Sequence, residues 1–441
     1  MTIEDVKNSI QEAIRKRDFL CEYSPENYKL LEKYLGSFQA VLSGRGQEKY
    51  LIPETGTAHF LYRGQNVEKA PCIPTIYRGD PDDVTIMIDR MRQIVFKRLL
   101  ASHPVVDGFF RRHHFVVNEE GLAQHYGLKT SVLDLTSSLD VALFFAVCKF
   151  VDDHYEYYPE GEHTGVLYVF DPVLDNEPSP SGRFDKYMVG NIQPIGLQAF
   201  PRPGAQCGYG LRIPKGESTK SWMFEFSFTA EESKAYYEKY NNGDALWVKD
   251  RLVAKADEVA QMTEFSFSVF NEAFDSFRPS GWSKSRMKNA LRDIRLSTHH
   301  PEYVFSEAEK REIVEEWNDH LGRETAAKIL RKPWFEHEGT RQNPDGTEQL
   351  LGIHNRMDYQ TVEHMGNMAM LSFIASFDGP EGAVWRNYTE KPSPKGSISR
   401  RDMKIDASMT NVFGSPYMTE DDWRLPAFNY RPIPAEGLPL L

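Results

Sequence analysis

The stretch from His125 to Ser138, HYGLKTSVLDLTSS, sets an imidazole, a phenol, two hydroxyl clusters and one carboxylate directly against an apolar block, LDVALFFAVCKFV. Polar groups at the foot of a hydrophobic wall either line a site or lead into a buried helix. Ser137 and Asp140 have the spacing of an N-terminal capping pair, and the run beyond them is apolar on nearly every face, which predicts a central helix. Capping leaves His125, Tyr126 and Asp134 unaccounted for. Asp134 lies between Leu133 and Leu135 and is expected to be buried, and a buried carboxylate requires a partner. Arg63 or Arg78 is the expected one. His125 fits either a site or a hydrogen bond to a backbone carbonyl, and Tyr126 either a stacking platform or core packing. Arg63 offers a planar fork of donors, and Gly64 beside it permits close backbone approach. The plain alternative for Arg63 is a strand-end arginine paired with an acid.

Other clusters offer less. His113 and His114 are adjacent in FFRRHHF, so their side chains point apart and a shared metal is not expected. Arg111 and Arg112 beside them read as a small anion patch or a solvated turn. The segment SGRGQ, Ser43 to Gln47, reads as a helix-ending linker rather than a phosphate loop.

The elements that must position these residues follow from periodicity. Thr2 with Asp5 starts a helix through IEDVKNSIQEAIRKRDFL, and Ser24-Pro25-Glu26 starts a second. HFLYRGQ is a short strand candidate. DVTIMIDRMRQIVFKRLLAS is helical, with Ile86, Met87, Met91, Ile94, Val95 and Leu99 recurring on one face. GVLYVFD and SWMFEFSF read as strands, separated by the loop PSPSGRF. Helical patterns return at TAEESKAYYEKY, DRLVAKADEVAQM and SEAEKREIVEEWNDHL. From about Lys332 the chain reads as irregular, with EGTRQNPDGTEQ and YTEKPSPKGSISRRD as loops and an extended tail. No internal repeat is seen, and the order of elements is mixed α+β.

Composition narrows the function classes. The 441 residues, 40% hydrophobic, suffice for two domains or one large domain with an extension. With 52 Lys+Arg against 64 Asp+Glu the formal charge is −12, which argues against bulk nucleic-acid binding. The N-terminus lacks a signal pattern, and the most apolar run is broken by Asp140 and Lys149, so no membrane segment is expected. Cys21, Cys72, Cys148 and Cys207 lie far apart, without metal-site or disulfide-framework spacing, so no metal and a reducing cytoplasm are expected.

YRGQ at Tyr62–Gln65, PTIYR at Pro74–Arg78 and the ungapped run from His125 to Ala146, in that order, resemble the FRG domain family. That family carries a Phe/Tyr-Arg-Gly motif followed by a His-Tyr-Gly…Thr-Arg-Leu-Leu-Asp-Trp-Thr block. This chain departs from it at Lys129 and Leu139, where proline is usual, at Leu135, where tryptophan is usual, and at Ser131, where arginine is usual. A later family feature is similar to Gln206-Cys207-Gly208-Tyr209. The resemblance implies an FRG domain over about residues 50–280; the periodicity of the chain places N-terminal helices before it (1–49) and a helical and irregular extension after it (281–441). The layout is similar to the arginine, hydroxyl-strand, glutamate order of ADP-ribosyltransferases, implying a split β-sheet core with flanking helices and a cleft for NAD or a related nucleotide. Arg63, His125 and Gln206 then stand at catalytic positions, and Arg63, Tyr126, Thr136 and Ser137 at cofactor-binding ones. Gln206 takes the place of the glutamate; it hydrogen-bonds but carries no charge and cannot act as a base. Glu225 is the nearest strand carboxylate, and its alternating apolar neighbours turn it to solvent. The family further implies a bacterial accessory, toxin or phage-defence setting. Two functions follow from it: ADP-ribose transfer, or a non-catalytic module recognising a ligand or protein partner.

Overall fold

The computed structural model describes residues 1–18, 37–42, 49–53, 60–66, 72–170, 192–217, 222–298, 300–330, 335–342, 348–351, 398–405, 416–419 and 422. The SGRGQ segment, the PSPSGRF loop, Cys21, the extended tail and the expected second N-terminal helix as far as residue 36 lie outside them; the last part of that helical run, Phe38–Leu42, is a strand instead, held by antiparallel pairing with residues 49–53.

Helix α1 (Ile3–Asp18) starts as its sequence predicts: the Asp5 amide donates to Thr2 Oγ1 (3.2 Å) and the Thr2 amide to Asp5 Oδ2 (2.8 Å). Strands β1 (Phe38–Leu42) and β2 (Lys49–Pro53) pair antiparallel, and β3 (Leu61–Gln65) carries the Tyr-Arg-Gly motif. Helix α2 (Asp83–Ala101) is capped by Asp82 and buries Ile86, Met87, Met91, Val95 and Leu99, the face its periodicity marks. A short helix α3 (Glu119–His125) ends where Gly127 turns to a φ of 87°, and β4 (Val132–Thr136) follows.

Helix α4 (Leu139–Val147) is the expected buried helix, but its cap is Ser138, whose Oγ accepts from the Val141 amide (3.4 Å). Ser137 is instead buried, and its hydroxyl has no hydrogen-bond partner. The helix also stops earlier than the apolar run suggests. At Cys148 the chain becomes β5 (Cys148–Val151), which turns through Asp152 and Asp153, both at positive φ, into β6 (His154–Tyr157). Two consecutive left-handed residues match the twist of a hairpin turn.

Next come β7 (Glu162–Phe170), β8 (Ile192–Pro194), helix α5 (Pro201–Ala205), β9 (Gly208–Arg212) and β10 (Trp222–Thr229). Together with β3 and β4 these strands form a six-stranded sheet in the order β10-β7-β3-β4-β9-β8, every pair antiparallel. Helix α6 (Ala230–Lys239) closes its N-terminus with a Thr229–Glu232 capping box. One face of β3, β7 and β10 is buried under α1, α4 and α6, with Tyr62, Phe144, Leu167 and Phe226 at the centre. Glu225 is exposed, as the alternation of β10 predicts.

Helix α7 (Arg251–Ala260), β11 (Glu264–Ser266), α8 (Phe267–Phe277), α9 (Lys284–Ala290), β12 (Arg295–Ser297), α10 (Glu307–Glu316) and α11 (Gly322–Lys328) complete the helical part. A second hydrophobic cluster joins α2 and α3 to α7, α8 and Trp317, so packing continues unbroken through residues 281–330. Strand β13 (Ile329–Leu330) then pairs parallel with β1. Where the chain beyond Lys332 reads as irregular, β14 (Phe335–Gln342), β15 (Glu348–Leu351) and β16 (Ile398–Ile405) form a three-stranded antiparallel sheet. Phe335 pairs with Ile405, a long-range match that local sequence patterns do not encode. Among the described residues no helix is long and apolar enough to cross a membrane. The fold is mixed α/β around an antiparallel sheet.

Candidate functional site

The centre of the sheet is nearly divided. Strands β3 and β7 pair at five positions, as do β4 and β9, but β3 and β4 meet only at Tyr62 and Thr136. Beyond that pair the strands part, and a cleft of about 270 Å³ opens between them. Arg63 spans the gap: its Nη1 donates to the Asp134 main-chain carbonyl at 2.8 Å. With the Gln65 amide turned to present its oxygen, Arg63 Nε (2.9 Å) and Nη2 (3.3 Å) donate to that oxygen. Three of the five guanidinium donors are thereby aimed, and the Cys72 thiol lies beside the same group.

Gly64 makes this placement sterically feasible. A Cβ there would lie 1.7 Å from the Ala142 carbonyl oxygen, so only glycine lets β3 lie this close to α4. The motif thus presses its glycine onto the buried helix while its arginine serves the cleft.

Arg63, His125, Thr136 and Gln206 all line this cleft. Thr136 Oγ1 accepts from the Ser138 amide (3.0 Å), which fixes the hydroxyl at the split. Gln206 caps the C-terminus of α5, and its amide nitrogen donates to the Leu246 carbonyl (2.9 Å). His125 is 4% exposed, and burial lowers its pKa, the Asp134 charge partly offsetting this. Its imidazole is therefore neutral at pH 7.

Two expected residues do not line the cleft. Tyr126 follows His125 at the end of α3 and points elsewhere: its hydroxyl donates to Asp250, and burial with that carboxylate raises its pKa far above the usual range. Burial likewise raises the pKa of Asp250, the cap of α7. Tyr126 is a structural strut. Ser137 contributes its amide to the Cys207 carbonyl (3.1 Å) and its hydroxyl to neither cleft nor cap.

Asp134 corrects a further expectation. Neither arginine pairs with its carboxylate, whose side chain is 31% exposed. Oδ2 accepts from Gln124 Nε2 (3.3 Å), and Oδ1 lies 3.8 Å from His125 Nε2. Arg63 and Arg78 make no ion pair with any carboxylate among the described residues. Arg78 lies on the cleft wall with its Nε donating to the Ile73 carbonyl (3.3 Å). Partial burial, then the neighbouring Arg63 charge, lower its pKa. Both cations and the Asp134 carboxylate line the same cleft.

Sequence reading missed the aromatic part of the cleft. Phe145, Phe150, Tyr155 and Trp247 line it. Phe150 is 46% exposed and stacks edge-on against Trp247 at 4.8 Å. Behind them lies Arg202, only 2% exposed, its guanidinium 4.0 Å from the Trp247 ring centre and 4.7 Å from that of Tyr126. Its Nε donates to the Val248 carbonyl (2.7 Å) and its Nη1 to that of His125 (3.3 Å). Arg202 therefore locks Trp247 and His125 together. The Asp152-Asp153 hairpin turn was the one local signal for part of this wall.

Ser131, at the family's usual arginine, lies outside the cleft. Its hydroxyl donates to Glu120 (2.6 Å), and Arg212 of β9 supplies the cation there through an ion pair with Glu120. The basic turn is likewise occupied: Arg111 pairs with Asp107 and Glu119, and Arg112 with Asp422. No cluster of three metal-ligating side chains occurs among the described residues.

Residues 58–154 match the family model of the FRG domain. This stretch is an FRG domain. The matched residues run from just before β3 to the start of β6 and contribute Arg63, Arg78, His125, Asp134 and Thr136 to the cleft. Gln206, Arg202 and Trp247 come from chain beyond the matched residues. No curated protein and no solved structure matches the chain.

Proposed function

We propose that the cleft of this FRG domain-containing protein binds an anionic nucleotide, NAD or a related molecule. The carrying observation is the pair Arg63 and Arg78, two guanidinium groups without a carboxylate partner among the described residues, in a cleft also lined by aromatic side chains. Phosphate oxygens supply the charge that such a pair lacks, and a planar fork binds them in bidentate fashion. Phe150, Tyr155 and Trp247 give a face on which a base or nicotinamide ring stacks. At about 270 Å³ the cleft encloses one nucleoside–phosphate end of such a ligand, with the rest projecting outward. The split between β3 and β4, and the order Arg63, Thr136, Gln206, support an ADP-ribosyltransferase-like reading.

A second reading, recognition without catalysis, is favoured by one observation. The Gln206 amide donates to the Leu246 carbonyl, and among the described residues no glutamate lines the cleft. Glycosidic cleavage of NAD gains from a carboxylate near the oxocarbenium-like centre. Titration calorimetry with NAD, followed by incubation with labelled NAD and cell lysate, separates the two. Binding with label transfer supports the transferase, binding without transfer the recognition module, and no binding removes the nucleotide proposal.

A further inference from the structure

Two polar atoms of the cleft have no hydrogen-bond partner although both are buried: His125 Nε2 and Asp134 Oδ1. They lie 3.8 Å apart, and both residues line the cleft. Leaving a buried donor or acceptor unmet costs about 1–3 kcal/mol, so their pairing with a ligand group recovers a penalty already present in the fold. Their neighbours hold them in place. Gln124 Nε2 fixes the other Asp134 oxygen, and Gln124 Oε1 accepts from Thr130 (2.6 Å) and Thr75 (3.1 Å). Arg202 grips the His125 carbonyl.

The two open positions differ in kind. A carboxylate oxygen only accepts, whereas the neutral imidazole nitrogen donates in one tautomer and accepts in the other. A hydroxyl donates and accepts at once. One hydroxyl at about 2.8 Å from each atom bridges a gap of this width, and a vicinal pair sets one oxygen against each. Neither a phosphate nor an aromatic ring meets the carboxylate favourably.

Resting on the nucleotide reading above, we infer that His125 and Asp134 together hold a ribose hydroxyl, so that the cleft selects ribonucleotides over their deoxy counterparts. The inference adds a chemical selectivity that charge and stacking alone do not give, since a deoxynucleotide offers the same phosphates and rings.

Calorimetric titration of the full chain with three ligands tests this: NAD, an analogue deoxygenated at the 2′ and 3′ positions of the adenosine ribose, and one deoxygenated at the nicotinamide ribose. One of the two analogues is expected to bind the wild-type protein about tenfold or more weakly than NAD. In Asp134→Asn, whose amide keeps the shape but reverses one hydrogen bond, that gap is expected to close to about twofold or less. If both analogues bind the wild-type protein as tightly as NAD, a water bridges the pair and the inference falls, while the nucleotide proposal stands. A gap that persists unchanged in Asp134→Asn overturns it as well. If NAD itself does not bind, both proposals fall together.

Discussion

Replacing Gly64 with alanine tests the packing on which the cleft is built. The added methyl would meet the Ala142 carbonyl oxygen at 1.7 Å, its carbon at 2.7 Å and the Ala146 amide nitrogen at 2.9 Å. All three are backbone atoms, so no side chain can swing aside. Restoring ordinary contact requires β3 and α4 to separate by about 1.5 Å, and well-packed interiors tolerate such insertions poorly. Val141, Ala142, Leu143, Phe144, Ala146 and Val147 of α4 are all buried and would lose contact together. The expected loss is at least about 4 kcal/mol, above the usual cost of overpacking because nothing flexible yields. That is a large share of a typical stability of roughly 5–15 kcal/mol. Gly127→Ala is the control: φ is 87° and no atom lies within 4 Å of its Cβ, so the cost is the backbone's alone, about 1–2 kcal/mol. Urea unfolding followed by far-ultraviolet circular dichroism measures both. Equal midpoints for the two variants would refute the close-approach argument and free the motif glycine of its packing role.

Other substitutions sort struts from ligand contacts. Tyr126→Phe removes a hydrogen bond to the buried Asp250 carboxylate and should cost about 1.5–3 kcal/mol in stability while leaving NAD affinity unchanged; lost affinity at unchanged stability would return Tyr126 to the site. Arg63→Lys keeps the charge but loses the fork, so ligand affinity should fall by about tenfold while the protein stays folded; global unfolding would make Arg63 structural. Burial lowers the His103 pKa from 6.5 to about 3, so the folded state holds it neutral. The unfolded state therefore binds the extra proton below pH 6.5, stability is full above that pH, and it declines as pH falls toward the folded value. At pH 5 His103 alone should cost about 2 kcal/mol, and His103→Phe should flatten the fall of melting temperature between pH 7 and 5. An unchanged slope would show that His103 is solvated.

Much of this fold is legible because its signals are local. The Thr2–Asp5 start, the apolar face of α2 and the alternation in β10 each depend on neighbours within a few residues. The buried helix α4 was legible too, though its cap moved from Ser137 to Ser138. Part of the cleft was readable because Arg63, His125 and Thr136 sit in short motifs, YRGQ and HYGLKTSVLDLTSS, that are each recognisable on their own. Tyr126 misleads because adjacency in sequence does not mean a shared direction: at the end of α3 it turns toward Asp250 while His125 turns to the cleft. The aromatic wall escaped notice because Phe150 and Tyr155 reach it only through an unforeseen hairpin, and Trp247 and Arg202 arrive from distant segments. Asp134 was expected to pair with a side chain, yet the arginine took its backbone carbonyl and left the carboxylate to Gln124 and His125.

The central claim is that Arg63 and Arg78 hold the anionic part of a nucleotide. Its most direct measurement is calorimetric titration of NAD into the wild-type protein, Arg63→Ala and Arg78→Ala at low and moderate salt, with melting temperatures recorded for all three. The wild-type protein should bind, with affinity falling as salt rises, and each variant should remain folded, bind about tenfold or more weakly and show a shallower salt dependence. Wild-type affinity in both alanine variants, or a wild-type protein that takes up no NAD at either salt, would contradict the account.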